Sequence, residues 1–456
     1  MEEALAIDPQ NLLALPWALR LRRRLMLWTD EEQEDAALAT LLNSDYQVDP
    51  LMLLTYIDDP QVQLKYAGLS APRLAENPMK AHAGHEKIRI GYFSADFYQH
   101  ATMYLMKGLL REHDRDRFEF YVYDLKPVPT DKDAKIVRDF ADVYHDVSAL
   151  TADQIALLAR NDEIDIALDL KGNTKHARPE IFALRAAPVQ ISFLGFPGTS
   201  AMHAMDYMVA DSITIPERDE RYFSEQILRM PACYQPTDNM RRPAQHGNLR
   251  QKFGLPEDKF IFANFNNSHK VGPKEFAVWM QILRQALNSV LLFFTGKNDL
   301  KTELARLAIS HDVDPSRILA CGIIPQEDHL DRMAQVDLCL DCFAYNAHTT
   351  ASDALWAGVP LLTLWGRQFS ARVATSILFA AGIEGLSVTS EDAFVEKAVA
   401  LSRDPSAVAA LKAQIIKNRE SSALFDTVAW TRNFERLLEK AHARSVSGQP
   451  PAHMST

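Results

Sequence analysis

From Lys87 onward, short apolar runs alternate with helix-like stretches, and this alternation constrains the fold more than any other feature of the chain. Apolar runs of strand length, separated by helices, are typical of parallel sheets in which each strand returns through a helix. The alternation stops in a proline-rich polar segment, residues 234–243, and then restarts. We therefore predict an α/β chain with two Rossmann-like units joined near residues 235–250. The predicted strands are 88–93, 118–123, 164–170 and 189–193 in the first unit, and 260–265, 289–295, 317–321, 336–340 and 360–364 in the second.

Both ends of the chain are helical in pattern. Leucines recur at helix-like spacings within the first 80 residues, where Thr29 or Asp30 could cap a helix. Residues 2–11 resemble the end of a tetratricopeptide helix and the Asp-Pro turn that closes it. We expect the last long helix to cross back over the first unit. The expected segments are helical residues 1–82, a first Rossmann-like lobe 83–240, a second lobe 241–393 and C-terminal helices 394–456.

Charge and composition exclude several functional classes. The chain carries 49 basic and 60 acidic residues, a formal net charge of -11, whereas a protein devoted to nucleic acids or membrane surfaces would be basic. Four cysteines are too few for a disulfide framework. The acidic N-terminus lacks a signal-peptide pattern, and the longest apolar runs are far too short to cross a bilayer. We expect a cytoplasmic protein that binds neither nucleic acid nor membrane.

The strongest candidate site lies in the second unit. A predicted strand ends at Asp341, and a loop then leads to His348-Thr349-Thr350, with a helix starting at about Ala351. Two hydroxyl groups beside the unpaired N–H groups of a helix start make a natural seat for a diphosphate. Asp353, one turn into that helix, could bind a ribose hydroxyl or could simply favour the helix dipole.

A second pair of residues precedes this strand. His329 and Arg332 are three residues apart, which places them on one face of a helix. Together they could stack on a nucleobase and clasp it, although a His-x-x-Arg pair is more commonly structural. The chain contains neither a Gly-x-x-x-x-Gly-Lys-Ser/Thr loop nor a Gly-x-Gly-x-x-Gly fingerprint, which argues against P-loop ATPases and dehydrogenases.

These motifs, with four others in order along the chain, resemble the O-linked N-acetylglucosamine transferase (SPINDLY-type) family, glycosyltransferase family 41. The resemblance implies the GT-B architecture, in which two Rossmann-like domains face a cleft, here preceded by a tetratricopeptide remnant. It also implies inverting transfer of a sugar from a UDP-sugar to Ser or Thr hydroxyls of proteins, with no metal or other cofactor. The matching segments are Asn346–Gly358, His329–Arg332, Gly91–Met106, Phe182–Gln190, Leu194–Ser200 and Asn264–Lys270.

The resemblance also assigns roles to individual residues. Lys270 matches the lysine on the diphosphate, where an ammonium would stabilise the leaving group. His100 matches a histidine at a helix start and is a candidate general base; an Asp or a substrate phosphate are the alternatives. Asp146 matches a carboxylate proposed for proton relay. Lys175 and Arg178 match basic residues of the cleft. The donor-binding positions are Asn267, Ile324, Gln326, His329, Arg332, Tyr345, His348, Thr349, Thr350, Asp353, Gly195 and Pro197.

Three positions depart from the animal members of the family. Asn267 replaces a glutamine, Gln326 replaces a lysine beside the uracil, and Tyr345 replaces a small cysteine near the acetyl pocket of the sugar. These departures leave the identity of the transferred sugar open. We expect UDP-N-acetylglucosamine as the donor, and UDP-glucose or GDP-fucose are the alternatives. A non-catalytic scaffold that binds a sugar nucleotide is a third possibility.

Two short motifs compete with this interpretation. Asp114-Arg-Asp116 and Asp131-Lys-Asp133 have the D-x-D form of metal-using glycosyltransferases, but both fall in charged, loop-like segments. Cys339-Leu-Asp-Cys342 is a single C-x-x-C pair that ends a strand, with no second pair to complete a zinc site. We expect no metal site.

Overall fold

The computed structural model describes residues 2–28, 31–73, 79, 82, 85–245 and 247–456, so the proposed cap at Thr29 or Asp30 lies outside the described residues. The helices are α1 (Glu2–Ile7), α2 (Leu15–Leu25), α3 (Glu31–Leu42), α4 (Pro50–Leu53), α5 (Pro60–Ser70), α6 (Ala101–Glu112), α7 (Lys132–Phe140), α8 (Ala152–Asn161), α9 (Glu180–Ala183), α10 (Pro273–Gln285), α11 (Lys301–Ser310), α12 (Gln326–Met333), α13 (Thr349–Trp356), α14 (Val373–Ala380), α15 (Glu391–Arg403), α16 (Pro405–Asn418) and α17 (Thr427–Val446).

All strands run parallel, in two sheets. The strands are β1 (Ile88–Ser94), β2 (Phe118–Asp124), β3 (Val143–Asp146), β4 (Ile166–Asp169), β5 (Val189–Ser192), β6 (Tyr207–Asp211), β7 (Gln226–Met230), β8 (Phe260–Asn264), β9 (Ser289–Gly296), β10 (Ile318–Gly322), β11 (Leu338–Leu340), β12 (Leu361–Leu364), β13 (Ser387–Val388) and β14 (Met454–Ser455).

The chain divides into two compact units. The first unit contains residues 49–51, 59–241 and 422–456, and its sheet has the order β14-β7-β6-β5-β4-β1-β2-β3. The second unit contains residues 1–48, 52–58 and 242–421, with the order β10-β9-β8-β11-β12-β13. The expectation of an α/β chain with two Rossmann-like units is confirmed, and all nine predicted strands are present with ends shifted by at most two residues.

The strands that the sequence analysis missed are mostly short or lie towards the sheet edges. They are β3, β6, β7, β13 and β14. Strand β3 is only half-buried and carries polar side chains, so it lacks the apolar run that marks a central strand. The two-residue strands β13 and β14 are too short for any sequence pattern.

Each sheet packs its apolar faces against helices of its own unit. In the first unit, Phe434 of α17 stacks on Phe193 with ring centroids 5.0 Å apart, and the Trp430 indole N–H donates to the Cys233 carbonyl (2.8 Å). Helices α15 and α16, which the sequence analysis grouped with the C-terminal tail, belong to the second unit. There Phe394 packs edge-on against Phe343 at 5.4 Å.

The strand order sets where a site can form. In each sheet three successive strands add in one direction and the fourth adds on the other side, so the order reverses between β1 and β4 and between β8 and β11. Loops that leave the carboxyl ends of strands on either side of such a reversal diverge and leave a crevice, which is where ligands bind in α/β sheets. The described helices include none that is both long and apolar enough to span a bilayer.

Candidate active site

Lys270 lies at the reversal point of the second sheet, in a short 3-10 turn (Ser268–Lys270) after β8. Its Nζ donates to the Asn346 carbonyl (3.0 Å) and lies 3.8 Å from the centroid of the Tyr345 ring. Burial lowers the pKa of Lys270 to about 8, although the Cys342 and Asp341 side chains oppose the shift. Among the described residues no carboxylate forms an ion pair with it. The site therefore holds a half-buried cation with no described carboxylate in ion-pair contact.

Asp341 organises the loop that faces Lys270. One carboxylate oxygen accepts the N–H groups of Cys342 (2.8 Å) and Ala347 (2.7 Å), and the other accepts the Thr363 hydroxyl (2.8 Å). Burial raises the pKa of Asp341 to about 6 against these hydrogen bonds and the Lys270 charge. These hydrogen bonds hold residues 342–347 in a tight loop that ends just before α13.

Helix α13 begins two residues earlier than predicted, at Thr349. Thr349 and Thr350 are therefore its first two residues and His348 precedes it, so the predicted pairing of hydroxyl groups with a helix start is confirmed. Burial and the nearby Lys270 charge hold the pKa of His348 well below its ordinary value, while a contact with the Ser370 carbonyl (3.4 Å) opposes them. A neutral His348 can offer a hydrogen bond at this helix start without competing with Lys270 for charge.

Gln326 and Asp353 meet across the reversal point. The Gln326 amide, on the first residue of α12, donates to Asp353 Oδ2 (3.0 Å). Asp353 is buried on α13. The structure thus brings together two residues that the sequence placed separately, beside the uracil and on the ribose.

His329 and Arg332 lie side by side on α12, as predicted. Arg332 donates to His329 Nδ1 (2.9 Å) and to the Gly322 carbonyl (3.0 Å). Because an arginine can only donate, His329 carries its proton on Nε2. Burial, with help from Arg332, lowers the pKa of His329 to about 4. The Phe265 ring packs edge-on against the imidazole at 5.1 Å, which gives an apolar wall beside a polar pair, as a nucleobase requires.

The two remaining donor-binding positions of this unit lie on the same loops. Asn267 has an exposed side chain, and its carbonyl accepts the Lys270 N–H (2.9 Å). Ile324 is half-buried in the segment between β10 and α12. Both therefore lie in loops that follow strands β8 and β10 of the second sheet.

The sequence analysis missed a brace behind the loop of residues 342–347. Gln368 is buried, and its amide donates to the carbonyls of Ala344 (2.8 Å) and Leu54 (3.0 Å). Asp58 accepts the N–H groups of Arg367 and Gln368 at 2.7–2.9 Å. No local pattern marks these residues, because Gln368 and Leu54 are 314 residues apart and Arg367 and Asp58 are 309 apart.

His100 occupies the equivalent edge of the first unit, immediately before α6. Its Nδ1 accepts the Thr102 N–H (3.3 Å) and lies 3.7 Å from Asp96 Oδ2. Lys171, after β4, forms a short ion pair with the same Asp96 oxygen. The sequence analysis missed Asp96 and Lys171. Their signals were the four-residue spacing of Asp96 and His100 and their positions directly after strands.

Three other predicted site residues of the first unit have no described contact with His100. Asp146 is exposed at the end of β3, two strands away from β1, and accepts the N–H and hydroxyl of Ser148. Lys175 is exposed. Arg178 donates to backbone carbonyls of residues 147–150, the nearest being Leu150 (2.7 Å). Arg178 therefore braces a loop in this structure, and no described hydrogen bond or ion pair joins these three residues to His100.

Gly195 and Pro197, two of the predicted donor-binding positions, lie in a turn after β5. A Cβ at Gly195 would lie 2.0 Å from the Leu170 carbonyl oxygen and 3.0 Å from the Lys171 Cα. The missing side chain thus lets the turn pass the backbone that carries Lys171. Pro197 is buried within the same turn.

The competing motifs have structural roles. Asp131 caps α7 by accepting the N–H of Asp133 (2.8 Å), and Asp114 accepts from Arg117 (2.8 Å). Cys339 and Cys342 are buried and unoxidised, and burial raises the pKa of both thiols. Within the described part of the chain, no three His, Cys, Asp or Glu residues are grouped to hold a metal ion.

Comparison with known proteins identifies the family. The family model described as Glycosyl transferase family 41 matches residues 74–246 and 245–434, which is most of the chain. The chain belongs to glycosyl transferase family 41. Every donor-binding position discussed above lies within these matched segments.

Relatives in family 41 carry transferase names. The chain is 34% identical over 90% of its length to the probable UDP-N-acetylglucosamine–peptide N-acetylglucosaminyltransferase SEC of Arabidopsis thaliana, and 26% identical over 81% to the Caenorhabditis elegans transferase of that type. It spans 43% and 42% of those proteins, less than half of each. A mutant O-GlcNAc transferase of Thermobaculum terrenum matches with a TM-score of 0.83 at 26% identity, covering 98% of this chain and 87% of the other.

Proposed function

We propose that this chain transfers N-acetylglucosamine from UDP-N-acetylglucosamine to Ser or Thr hydroxyls of proteins, with inversion and without a metal ion. The names of its family 41 relatives support the donor and the acceptor class. Because the chain covers less than half of the curated relatives, the activity is proposed for these residues and not transferred from the longer proteins.

Lys270 is the observation that carries the proposal. A half-buried ammonium with no carboxylate partner among the described residues is less favourable than one in water, and desolvation lowers the pKa of Lys270 to about 8. An incoming diphosphate would supply the missing negative charge. As the bond from the sugar to the diphosphate breaks, negative charge grows on the leaving oxygens, so a fixed cation stabilises the transition state more than the bound substrate.

The surrounding residues suit the rest of a UDP-sugar. The first N–H groups of α13 and the hydroxyls of Thr349 and Thr350 can donate hydrogen bonds to a phosphate. Asp353, held by Gln326, can accept ribose hydroxyls. The Phe265–His329–Arg332 group offers an apolar face and hydrogen-bond donors to a base.

Metal independence follows from the same charges. Lys270 and the positive end of α13 supply the charge that a divalent cation supplies in metal-using transferases. We expect full activity in EDTA with no gain on adding Mn²⁺. Activity that vanished in EDTA and returned with Mn²⁺ would refute this part of the proposal.

The decisive experiment is incubation of the chain with a panel of nucleotide sugars and Ser/Thr-containing peptides, read by mass spectrometry. We expect a mass increase of one N-acetylhexosamine with UDP-N-acetylglucosamine and no fucose transfer from GDP-fucose. Turnover by Lys270→Met should be about 100- to 1000-fold lower. Lys301→Met, an exposed lysine of the same unit, is the matched control and should behave like the unchanged chain. Binding of donors without hydrolysis or transfer would favour the scaffold alternative.

Tyr345 bears on the choice between N-acetylglucosamine and glucose. Its ring lies against Lys270 Nζ and 4.9 Å from the His348 ring, at the end of the crevice where the phosphates are expected. Because the Tyr345 ring packs against Lys270 and His348, it need not fill the space that the acetamido group of the sugar requires. We expect UDP-N-acetylglucosamine to bind more tightly than UDP-glucose, with the ratio altered in Tyr345→Cys. Equal affinities in calorimetry, unchanged in the variant, would show that this loop does not read the sugar.

A further inference from the structure

The hydrogen bonds of His100 determine where its imidazole carries a proton. The Thr102 backbone N–H donates to Nδ1 (3.3 Å), and the Thr102 hydroxyl lies 3.1 Å from the same nitrogen. A peptide N–H can only donate, so the lone pair of Nδ1 is occupied. In the neutral ring the proton must then lie on Nε2.

The surroundings favour the neutral ring. Burial lowers the pKa of His100, Asp96 opposes this shift and Lys171 reinforces it. The start of α6 also disfavours a positive charge. Tyr98 is a further titratable neighbour, with its ring centroid 5.6 Å from that of His100.

Asp96 alone would act in the opposite direction. Its Oδ2 lies 3.7 Å from Nδ1, close enough to draw a proton to that nitrogen. Lys171 prevents this, because its ammonium binds the same carboxylate oxygen. Both side chains are almost fully buried, with residue exposures of 7% for Asp96 and 3% for Lys171, so the pair is shielded from water and salt.

Lys171 is itself held in place by its neighbours. Asp169 accepts the N–H groups of Lys171 (2.8 Å) and Gly172 (3.1 Å), and burial raises the pKa of Asp169 to about 6. Gly195 leaves room for the backbone at Lys171. The lysine is thus built into the first unit at the reversal point between β1 and β4.

We propose that Asp96 and Lys171 are positioning residues that keep His100 neutral with its proton on Nε2, so that His100 donates a hydrogen bond to the substrate instead of removing a proton. The assignment of a substrate to this site rests on the proposed function. The base that accepts the proton of the Ser or Thr hydroxyl is then one of the two alternatives left by the sequence, a carboxylate or a phosphate oxygen of the donor.

The first test measures the tautomer and needs no activity. In protein labelled with ¹⁵N-histidine, two-bond ¹H–¹⁵N spectra distinguish the tautomers, and the His100 signals are those missing from His100→Asn. We expect an Nε2–H ring from pH 6.5 to pH 8. An Nδ1–H ring, or an imidazolium at pH 7, would overturn the proposal.

The second test separates positioning from simple structural support. Lys171→Met should raise the pKa of His100 or move its proton towards Nδ1, because Asp96 is then unneutralised, whereas Lys171→Arg should leave the spectrum unchanged. If Lys171→Met does not fold, the double variant Asp96→Asn/Lys171→Met removes both charges and should retain the Nε2–H ring. An unchanged His100 signal in Lys171→Met, or an Nδ1–H ring in the double variant, would contradict the role given to the pair.

The third test is kinetic. Glutamine at position 100 can donate a hydrogen bond but cannot act as a base, whereas glutamate can act as a base but cannot donate when ionised. We expect His100→Gln to retain at least tenfold more kcat than His100→Glu. A ratio of one or below would overturn the donor role, and the ¹⁵N spectra show whether the tautomer assignment survives a failure of the proposed transfer.

Discussion

Each unit has a lysine beside the reversal point of its sheet, and the surroundings of the two lysines differ. Each follows a strand beside the point where its sheet reverses direction, Lys171 after β4 and Lys270 after β8. Lys171 is paired with the Asp96 carboxylate. Lys270 meets a carbonyl oxygen and the face of the Tyr345 ring, and no described carboxylate neutralises it.

The Lys171 charge is neutralised within the protein and supports the fold. The Lys270 charge has no described carboxylate partner and is available to a ligand. A paired buried lysine is satisfied within the protein, and removing one partner exposes the other to the low dielectric. An unpaired buried lysine costs stability and is retained where an anion can bind. A lysine beside the reversal point therefore serves a different purpose in each unit.

The largest expected effect concerns the stability of the first unit. Lys171→Met leaves Asp96 buried without its partner, which typically costs about 3–5 kcal/mol. We expect a lower midpoint in urea unfolding, with partial recovery in Asp96→Asn/Lys171→Met. Lys132→Met, an exposed lysine of the same unit, should leave the midpoint unchanged. If Lys171→Met were as stable as the parent chain, the ion pair with Asp96 would not stabilise the fold, and the contrast with Lys270 would fail.

The next effect falls on turnover. Lys270→Met should keep or raise the unfolding midpoint, because it removes a half-buried charge that lacks a described carboxylate partner, but kcat should fall about 100- to 1000-fold. Steady-state transfer assays and thermal unfolding on the same preparation measure both quantities. If Lys270→Met kept turnover within threefold of the parent chain, Lys270 would not be the lysine that serves the ligand.

The titration of Lys270 gives a smaller effect with a defined sign. A lysine is charged below its pKa, so donor binding should be constant from pH 6.5 to pH 7.5 and weaken as pH rises through about 8. The loss should approach about tenfold for each further pH unit. Calorimetry with UDP-N-acetylglucosamine checks this, and Lys270→Arg, which stays charged, should remove the dependence. Affinity that rises with pH in the parent chain would show that Lys270 does not bind the diphosphate.

The smallest effect concerns the brace behind the donor loop. Gln368→Leu removes hydrogen bonds to the Ala344 and Leu54 carbonyls, each worth about 0.5–1.5 kcal/mol. We expect the donor KM to rise about 2- to 10-fold with kcat nearly constant. The exposed Gln414→Leu is the control, since Gln414 also bonds a carbonyl but lies on α16. A loss confined to kcat would mean that the brace does not act through donor binding.

The sequence by itself determined the two parallel sheets and most of the second-unit site. Apolar runs alternating with helices predict strands because burial on both faces requires continuous apolar side chains. Asp341 and the His348–Thr350 turn could be predicted because they lie at a strand end and a helix start, whereas Lys270 was assigned by its match to the family lysine. Local rules of strand, loop and helix N-terminus place such residues without knowledge of distant contacts.

Only the tertiary structure decided the pairings between distant segments. Asp96 and Lys171 are 75 residues apart and Gln368 and Leu54 are 314 apart, so no local pattern could show that they touch. The same limit explains why Arg178 is committed to carbonyls of residues 147–150 and why Gly195 is required by the Leu170 backbone. Sequence patterns show which polar and charged side chains follow each strand. Whether a buried charge is neutralised depends on which strands become neighbours, and that is settled when the sheet assembles.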